Sequence, residues 1–391
     1  MYKILLFICI FFISGINLAQ SKRMRLANEL FAVKSYYAAA QAYEDALERT
    51  KDSFSVANNL SFAYDIMGNV PKAIAWYGFL AKNDSLEERQ MLRYAILLRQ
   101  NGDVEKSELW LLNTLTLNSQ NATAKALLSN QSSKDELTDY FTNPENSHLS
   151  KESDISIHLM NNEEAIVTSS KRNTAAIMRT AGQPRVYFYD MYRVSVSEEG
   201  GFGTMQQIRG EGNTKFHDGP AVFDPTSGYL YFTRNNIVEE KRIKDDQGIT
   251  KLKIFRGKLA GNKIIDAEEL PFNSDTYSCG HPAISPDGKT LFFASDMPGS
   301  LGGTDIFKVE ILEDGSFGHP ENLGAPINTL LNEVTPFVHP ESGLLFFLSN
   351  GHYGFGGLDV FVAYQDENQK FIEVKNLGET INTAFDDFAF V

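Results

Sequence analysis

Pro282-Ala283-Ile284-Ser285-Pro286-Asp287, followed by Leu291-Phe292-Phe293-Ala294-Ser295, returns 54 positions later as Pro336-Phe337-Val338-His339-Pro340-Glu341 and Leu345-Phe346-Phe347-Leu348-Ser349. The same offset carries Gly302-Gly303-Thr304-Asp305-Ile306-Phe307 onto Gly356-Gly357-Leu358-Asp359-Val360-Phe361, and Asn322-Leu323-Gly324 with Ile327-Asn328-Thr329 onto Asn376-Leu377-Gly378 with Ile381-Asn382-Thr383. A fixed period of about 50 residues, each copy holding short apolar strands separated by Pro, Gly and Asp turns, is the arithmetic of a β-propeller blade. Within each copy the Pro-Asp-Gly or Pro-Glu-Ser-Gly turn leads into a buried Leu-Phe-Phe strand, and Gly-Gly-x-Asp opens a third strand.

Two more divergent units precede this pair. Gly219 to Phe223, the turn Asp224 to Gly228 and Tyr229 to Thr233 form one, with an insertion at Ile237 to Gly248 whose charges predict an exposed loop or extended hairpin. Ile155 to Met160, Ala165 to Ser169 and Val186 to Val196 read as strands of a first blade. Phe385 to Val391 falls at the 54 offset from Leu331 to Phe337, which predicts the opening strand of a fifth blade and a longer parent protein. The expectation is a propeller of about four blades plus the start of a fifth, over residues 153–391.

Residues 21–130 carry a different period, of 34 residues, with helical spacing. Ala39, Ala73 and Ser107 share it, as do Tyr43, Tyr77 and Leu111; Leu26, Leu60 and Tyr94; and Leu30, Tyr64 and Leu98. Gly68-Asn69-Val70-Pro71-Lys72 aligns with Gly102-Asp103-Val104-Glu105-Lys106, where glycine suits a helix end and Pro71 a helix start. This is the tetratricopeptide pattern of helix pairs, three copies long, with residues 121–129 expected as a capping helix. Residues 131–152, rich in Ser, Asn, Asp and Thr, read as a linker. The fold class is therefore α + β multidomain, an α-solenoid followed by an all-β propeller.

Residues 1–20 have the form of a signal peptide: Lys3, an apolar run from Ile4 to Ile13 too short to span a bilayer, and Asn17-Leu18-Ala19 as a cleavage site. With Cys9 inside that run, Cys279 is left without an intramolecular partner, so packed cores must hold the exported fold, and a buried Cys279 is expected. A net charge of −14 excludes nucleic acid as a natural partner.

No Gly-x-Ser-x-Gly nucleophile elbow occurs. Asp305 and Asp359 supply one carboxylate per repeat, short of the oxygen count calcium needs, and are expected to cap turns. His217, His281, His319, His339 and His352 lack metal-ligand spacing, although His217-Asp218 and His281 could face one end of the propeller. No catalytic, cofactor or metal residues are assigned, and the chain is expected not to be an enzyme. Candidate protein-binding residues are Arg23, Asn28, Ala57, Ser61 and Arg93, from the helix lining the inner face of each repeat, and Tyr353 and Phe355 at a glycine-rich hairpin tip. The rival is a propeller with a glycan-binding or hydrolytic central pocket.

The Pro-Asp-Gly-Lys-x-Leu-Phe-Phe-x-Ser and Gly-Gly-x-Asp-Ile-Phe phrases resemble TolB-type propeller repeats, also called WD40-like or PD40. Joined to a signal peptide, a tetratricopeptide array and the Asn-Leu-Gly-x-x-Ile-Asn-Thr phrase, the chain resembles a Bacteroidota family of OmpA-type envelope proteins that includes the PorE-like component of type IX secretion. The resemblance implies a scaffold in the periplasm, peripheral to the outer membrane, whose partners are envelope proteins of secretion or gliding. Members continue into an OmpA domain that grips peptidoglycan, and residues 1–391 are expected to stop short of such a domain. A TolB-like partner of a lipoprotein is the further alternative, disfavoured by the helical array.

Overall fold

The computed structural model describes residues 22–32, 35–47, 53–129, 153–170, 177–178, 186–198, 201–246, 248–383 and 385–387. The expected signal peptide and linker lie outside them. The chain divides into two compact units, one helical and one built of sheets.

Among the described residues, seven helices make up the helical part: α1 (22–32), α2 (Tyr36–Leu47), α3 (Ser53–Ile66), α4 (Val70–Ala81), α5 (Glu88–Gln100), α6 (Val104–Leu117) and α7 (Ala122–Ser129). The 34-residue period is a packing period. Ala39 and Ala73 have no exposed surface and Ser107 almost none, and Tyr43, Tyr77 and Leu111 are buried one turn further on. Small residues let neighbouring helix axes approach, and the larger side chain fills the groove beside them. Gly68 and Gly102 end α3 and α5 with φ of 69° and 80°, a conformation that costs glycine nothing. Asn69 caps α4 by accepting the Lys72 N–H at 3.3 Å, with Pro71 in the first turn. Leu26 departs from its repeat mates: it is half-exposed, whereas Leu60 and Tyr94 are buried. At the other end Asn121 caps α7 by accepting the Ala124 N–H, and Leu127 is buried, as a capping helix requires.

The β-rich unit is a four-bladed, propeller-like arrangement of antiparallel sheets. Blade 1 orders the strands Asp154–Asn161, Glu164–Ser169, Asp190–Ser195 and Gln206–Gln207 from the inside outward. Blade 2 orders Asp218–Asp224, Tyr229–Asn235, Leu252–Ala260 and Lys263–Glu269, with Arg209–Gly210 added in parallel at its rim. Blade 3 has Cys279–Ile284, Thr290–Ser295, Asp305–Glu310 and Glu321–Asn322; blade 4 has Glu333–Val338, Leu345–Ser349, Asp359–Gln365 and Phe371–Asn376. The insertion in blade 2 is a short hairpin pairing Ile237–Val238 with Lys241–Arg242, turned by Glu239 and Glu240 at positive φ. Val186–Tyr187 does not extend the third strand of blade 1, as its aromatic run suggested; it pairs separately with Ile177–Met178.

Neighbouring blades share apolar cores. Ile166 and Met191 of blade 1 meet Leu230 and Phe232 of blade 2; Tyr231 and Ile254 of blade 2 meet Leu291 and Phe293 of blade 3; Phe292 and Ile306 of blade 3 meet Phe347 and Phe361 of blade 4. Each fully buried phenylalanine here is worth about 2–3 kcal/mol of transfer free energy.

The Asn-Leu-Gly-x-x-Ile-Asn-Thr phrase is a hydrogen-bonding device. The second asparagine pairs with both backbone groups of a residue near the start of the third strand: Asn328 Oδ1 accepts the Ile306 N–H at 2.8 Å and its Nδ2 donates to the Ile306 carbonyl at 2.9 Å. Asn382 does the same for Val360, and so do Asn213 for Met191 and Asn273 for Ile254. The first asparagine, Asn322 or Asn376, holds the second through its Oδ1. A Thr-x-x-x-acid staple follows: Glu333 accepts the Thr329 N–H and hydroxyl, Asp387 those of Thr383, and Asp218 those of Thr214. After blade 4, Gly357 N–H to Phe385 O and Asp387 N–H to Leu358 O repeat the links Gly303 N–H to Leu331 O and Glu333 N–H to Thr304 O that lead into blade 4. The expected fifth opening strand is described only as far as these residues.

Candidate functional site

The four innermost strands line one cavity of about 340 Å³. Ser156 to Met160 come from blade 1, Pro220 to Pro225 from blade 2, His281 to Pro286 from blade 3 and Thr335 to Pro340 from blade 4. Proline lacks the N–H that a strand interior needs, and these strands accommodate it with bulges. The register breaks between Asp218 and Ala221, between Gly280 and Ala283, and between Val334 and Phe337. The residue before each inner proline takes positive φ: Gly219 at 97°, His281 at 54° and Thr335 at 49°. For Thr335, branched at Cβ, this conformation is strained, and such strain persists only where the surroundings enforce it. They do so here. Thr335 Oγ1 lies 3.0 Å from His281 Nδ1, and the His281 N–H donates to Thr233 Oγ1 at 2.8 Å.

The walls are mostly apolar, with Ile157, Leu159, Ile284, Phe337 and Val338 beside the prolines. Three histidines line the cavity from different blades, His158, His281 and His339. Burial pushes the His158 imidazole down to about 4 although it hydrogen-bonds the Phe223 backbone, and burial alone pushes His281 down to about 4. Both are neutral at pH 7. The carboxylate of the lining, Asp224, is committed to its own turn, accepting the Thr226 N–H at 2.9 Å and the Ser227 hydroxyl.

Of the residues singled out by sequence, His281 and His339 line the cavity. His217 packs instead against Phe188 and Tyr189, with its Nδ1 accepting the Tyr189 N–H, and Asp218 is buried in an ion pair with Arg234 at 2.6 Å. His352 is seated on Phe347 and Phe361 with its Nε2 at the Ile327 carbonyl, and His319 is exposed. Asp305 accepts the Leu301 and Gly302 N–H groups and Asp359 those of Phe355 and Gly356, the turn-capping expected of them. Cys279 is buried, and burial pushes its thiol up to about 12. Among the described residues no cluster of three His, Cys, Asp or Glu side chains is arranged to hold a metal ion. His158 was missed, since one histidine in a strand carries no signal; the recurring pairs Pro220/Pro225, Pro282/Pro286 and Pro336/Pro340 were the available clue.

On the helices, Arg23 and Asn28 are exposed, Asn28 accepting the Tyr43 hydroxyl at 2.6 Å. Ala57 and Ser61 lie inside the helical core, and Arg93 is held by Asp65 at 2.6 Å. One residue along, a turn of 100°, Asn58 and Phe62 are exposed and continue a row that runs Phe54, Asn58, Phe62, Ile66 on α3. Phe355 is 39% exposed, and Tyr353 is half-buried.

No protein-family model and no curated protein matches the chain. Among solved structures, the helical part is similar to the C-terminal TPR-containing domain of a Plasmodium falciparum FK506-binding protein, at 20% identity and TM-score 0.24, over 27% of this chain and 81% of that one. The β-rich part is similar to puromycin hydrolase, at 14% identity and TM-score 0.33 over 61% of this chain and 42% of that one. It is also similar to an α-L-arabinofuranosidase from Lactobacillus brevis, at 13% identity and TM-score 0.37 over 56% and 71%. The expectation that the chain is not an enzyme is corrected by this comparison: the propeller-like neighbours include a hydrolase, glycosidases and a lyase. At these TM-scores no particular activity is transferred. The chain combines a tetratricopeptide-like array with a propeller-like unit, an architecture suited to protein interaction.

Proposed function

We propose that this chain is a protein-interaction scaffold of the cell envelope, located in the periplasm and attached peripherally to the outer membrane. The observation that carries the reading is the row Phe54, Asn58, Phe62 and Ile66, which leaves large apolar side chains of α3 open to solvent at a spacing of four. Helical repeats use such faces to seat an amphipathic segment of another protein. Phe62 is already backed by aromatic neighbours, with Phe31 and Tyr36 rings 5.8 and 5.7 Å away, so the row has a firm floor. The occupant is a segment of an outer-membrane protein, and the resemblance to OmpA-type Bacteroidota proteins supports a place beside secretion or gliding components. No helix of the described residues is long and apolar enough to cross a membrane, which fits peripheral attachment. Any grip on peptidoglycan belongs, by the same resemblance, to an OmpA domain outside these residues.

The test places a photo-crosslinking amino acid at Phe62 in the native envelope, with Ile249 of blade 2 as the control position. Mass spectrometry is expected to identify an outer-membrane secretion or gliding component at Phe62 only. Crosslinks to no outer-membrane protein, or the same product from both positions, refute the reading.

A further inference from the structure

We infer that the central cavity of the propeller-like unit is a binding site for a small, uncharged aromatic molecule. Its volume, about 340 Å³, lies within the range of small-molecule sites. Its walls select by what they lack and by what they offer. Six prolines, two from each of blades 2, 3 and 4, face it and bring no N–H donors, so an anion would lose its hydration without replacement. A cation fares no better, because the Asp224 carboxylate is spent on its turn. An apolar group gains the contact surface of Ile157, Leu159, Ile284 and Val338, and a flat ring can lie against proline rings and the Phe337 face.

Two imidazoles give such a ligand an orientation, the third, His339, being held in its own turn by Ser342. His158 hydrogen-bonds the Phe223 backbone and His281 Nδ1 the Thr335 hydroxyl, so each imidazole has one ring nitrogen committed and a second to offer. Their low pKa values keep both neutral at pH 7. The strained backbone at His281 and Thr335, 54 residues apart yet bonded to each other, fixes this wall before any ligand arrives. The site is independent of the α3 row.

The probe is N-phenyl-1-naphthylamine, a neutral aromatic fluorophore, titrated into the full chain at neutral pH. Its counterpart is 1-anilinonaphthalene-8-sulfonate, which has the same rings and a negative charge. The neutral probe is expected to fill a single saturable site about tenfold more tightly than the sulfonate. Leu159→Glu, at a position already 48% exposed and therefore tolerant of a polar side chain, is expected to weaken it about tenfold or more. His281→Asn, which can keep the left-handed backbone but removes the imidazole, is expected to weaken it less, while Phe62→Glu leaves it unchanged. Equal affinity for the sulfonate, unaltered binding in Leu159→Glu, or loss of binding in Phe62→Glu overturns the inference.

Discussion

Replacing Asn328 with alanine tests whether the recurring asparagine is what ties each third strand to the segment after the fourth. Its side chain is 4% exposed and makes three bonds, to the Ile306 N–H, the Ile306 carbonyl and Asn322 Oδ1. The losses are unequal. The Ile306 carbonyl keeps a second donor, the Leu323 N–H at 3.1 Å, whereas the Ile306 N–H loses its acceptor, Asn328 Oδ1 at 2.8 Å. A buried donor left unpaired costs about 1–3 kcal/mol, and the bond to Asn322 adds about 1 kcal/mol, so the expected loss is about 2–4 kcal/mol. Urea unfolding followed by far-UV circular dichroism and near-UV tyrosine signals measures it. Tryptophan fluorescence does not, because Trp76 and Trp110 both lie in the helical part. Hydrogen exchange of the Ile306 amide supplies the local readout and is expected to accelerate beyond its neighbours. Asn368→Ala, on the exposed tip of the blade 4 hairpin, is the control and should stay within about 0.5 kcal/mol. A loss below 0.5 kcal/mol in Asn328→Ala, with Ile306 exchange unchanged, refutes the clamp, since the same geometry in four blades would then carry no energy.

Glu333 sets a pH dependence. Burial pushes its carboxyl from 4.5 up to about 7, against the opposing bonds from Ser349 and Thr329, so its contribution to stability is full below pH 4.5 and is lost as pH rises through 7. The stability difference between the native chain and Glu333→Gln should change by about 3 kcal/mol across that window, and a flat difference in urea titrations excludes the assignment. Gly219→Ala should cost about 2–4 kcal/mol, because φ is 97° and the new Cβ would run into the Thr168 side chain; adding Thr168→Ala should relieve the clash but not the backbone cost, as read by calorimetry. Phe62→Glu, at a half-open position, should lower stability by less than about 1 kcal/mol while abolishing the crosslink from a photo-crosslinking amino acid placed at Asn58 on the same row.

Both repeats were legible in the sequence because each is written by residues that pack locally. Ala39, Ala73 and Ser107 recur at 34 since a helix pair needs a small residue at that depth, and the strand Leu-Phe-Phe recurs at 54 since each blade buries it. What failed was phase. Ala57 and Ser61 share a helix with the exposed row, but burial on a helix changes within one residue, and periodicity alone does not say which of two adjacent rows faces solvent. The cavity was harder still. Its lining is drawn from strands beginning at Asp154, Asp218, Cys279 and Glu333, and only the side-by-side arrangement of blades brings them together. The clamps of blades 1 and 2 also escaped notice, because Asn213 and Asn273 keep the geometry without the surrounding Asn-Leu-Gly phrase.

Departures from the repeat are therefore more informative than the repeat, provided structural compensation is recognised first. Cys279 occupies the place of Asp218 and Glu333 in the staple, and its partner position, four residues earlier, holds Asp275 instead of threonine. The two changes belong together. Asp275 turns to Lys253 and Asn236, while the thiol sits in the emptied pocket against Ser295, so blade 3 keeps its fold with the charge moved outward. His281 has no such explanation. Glycine at the equivalent place in blade 2 carries the left-handed backbone without strain, yet blades 3 and 4 place histidine and threonine there and join them across the blade boundary. A fold-driven choice would favour glycine in all three blades. Strain accepted twice, at adjoining positions on the wall of the cavity, supports the inferred role of that wall in presenting an imidazole.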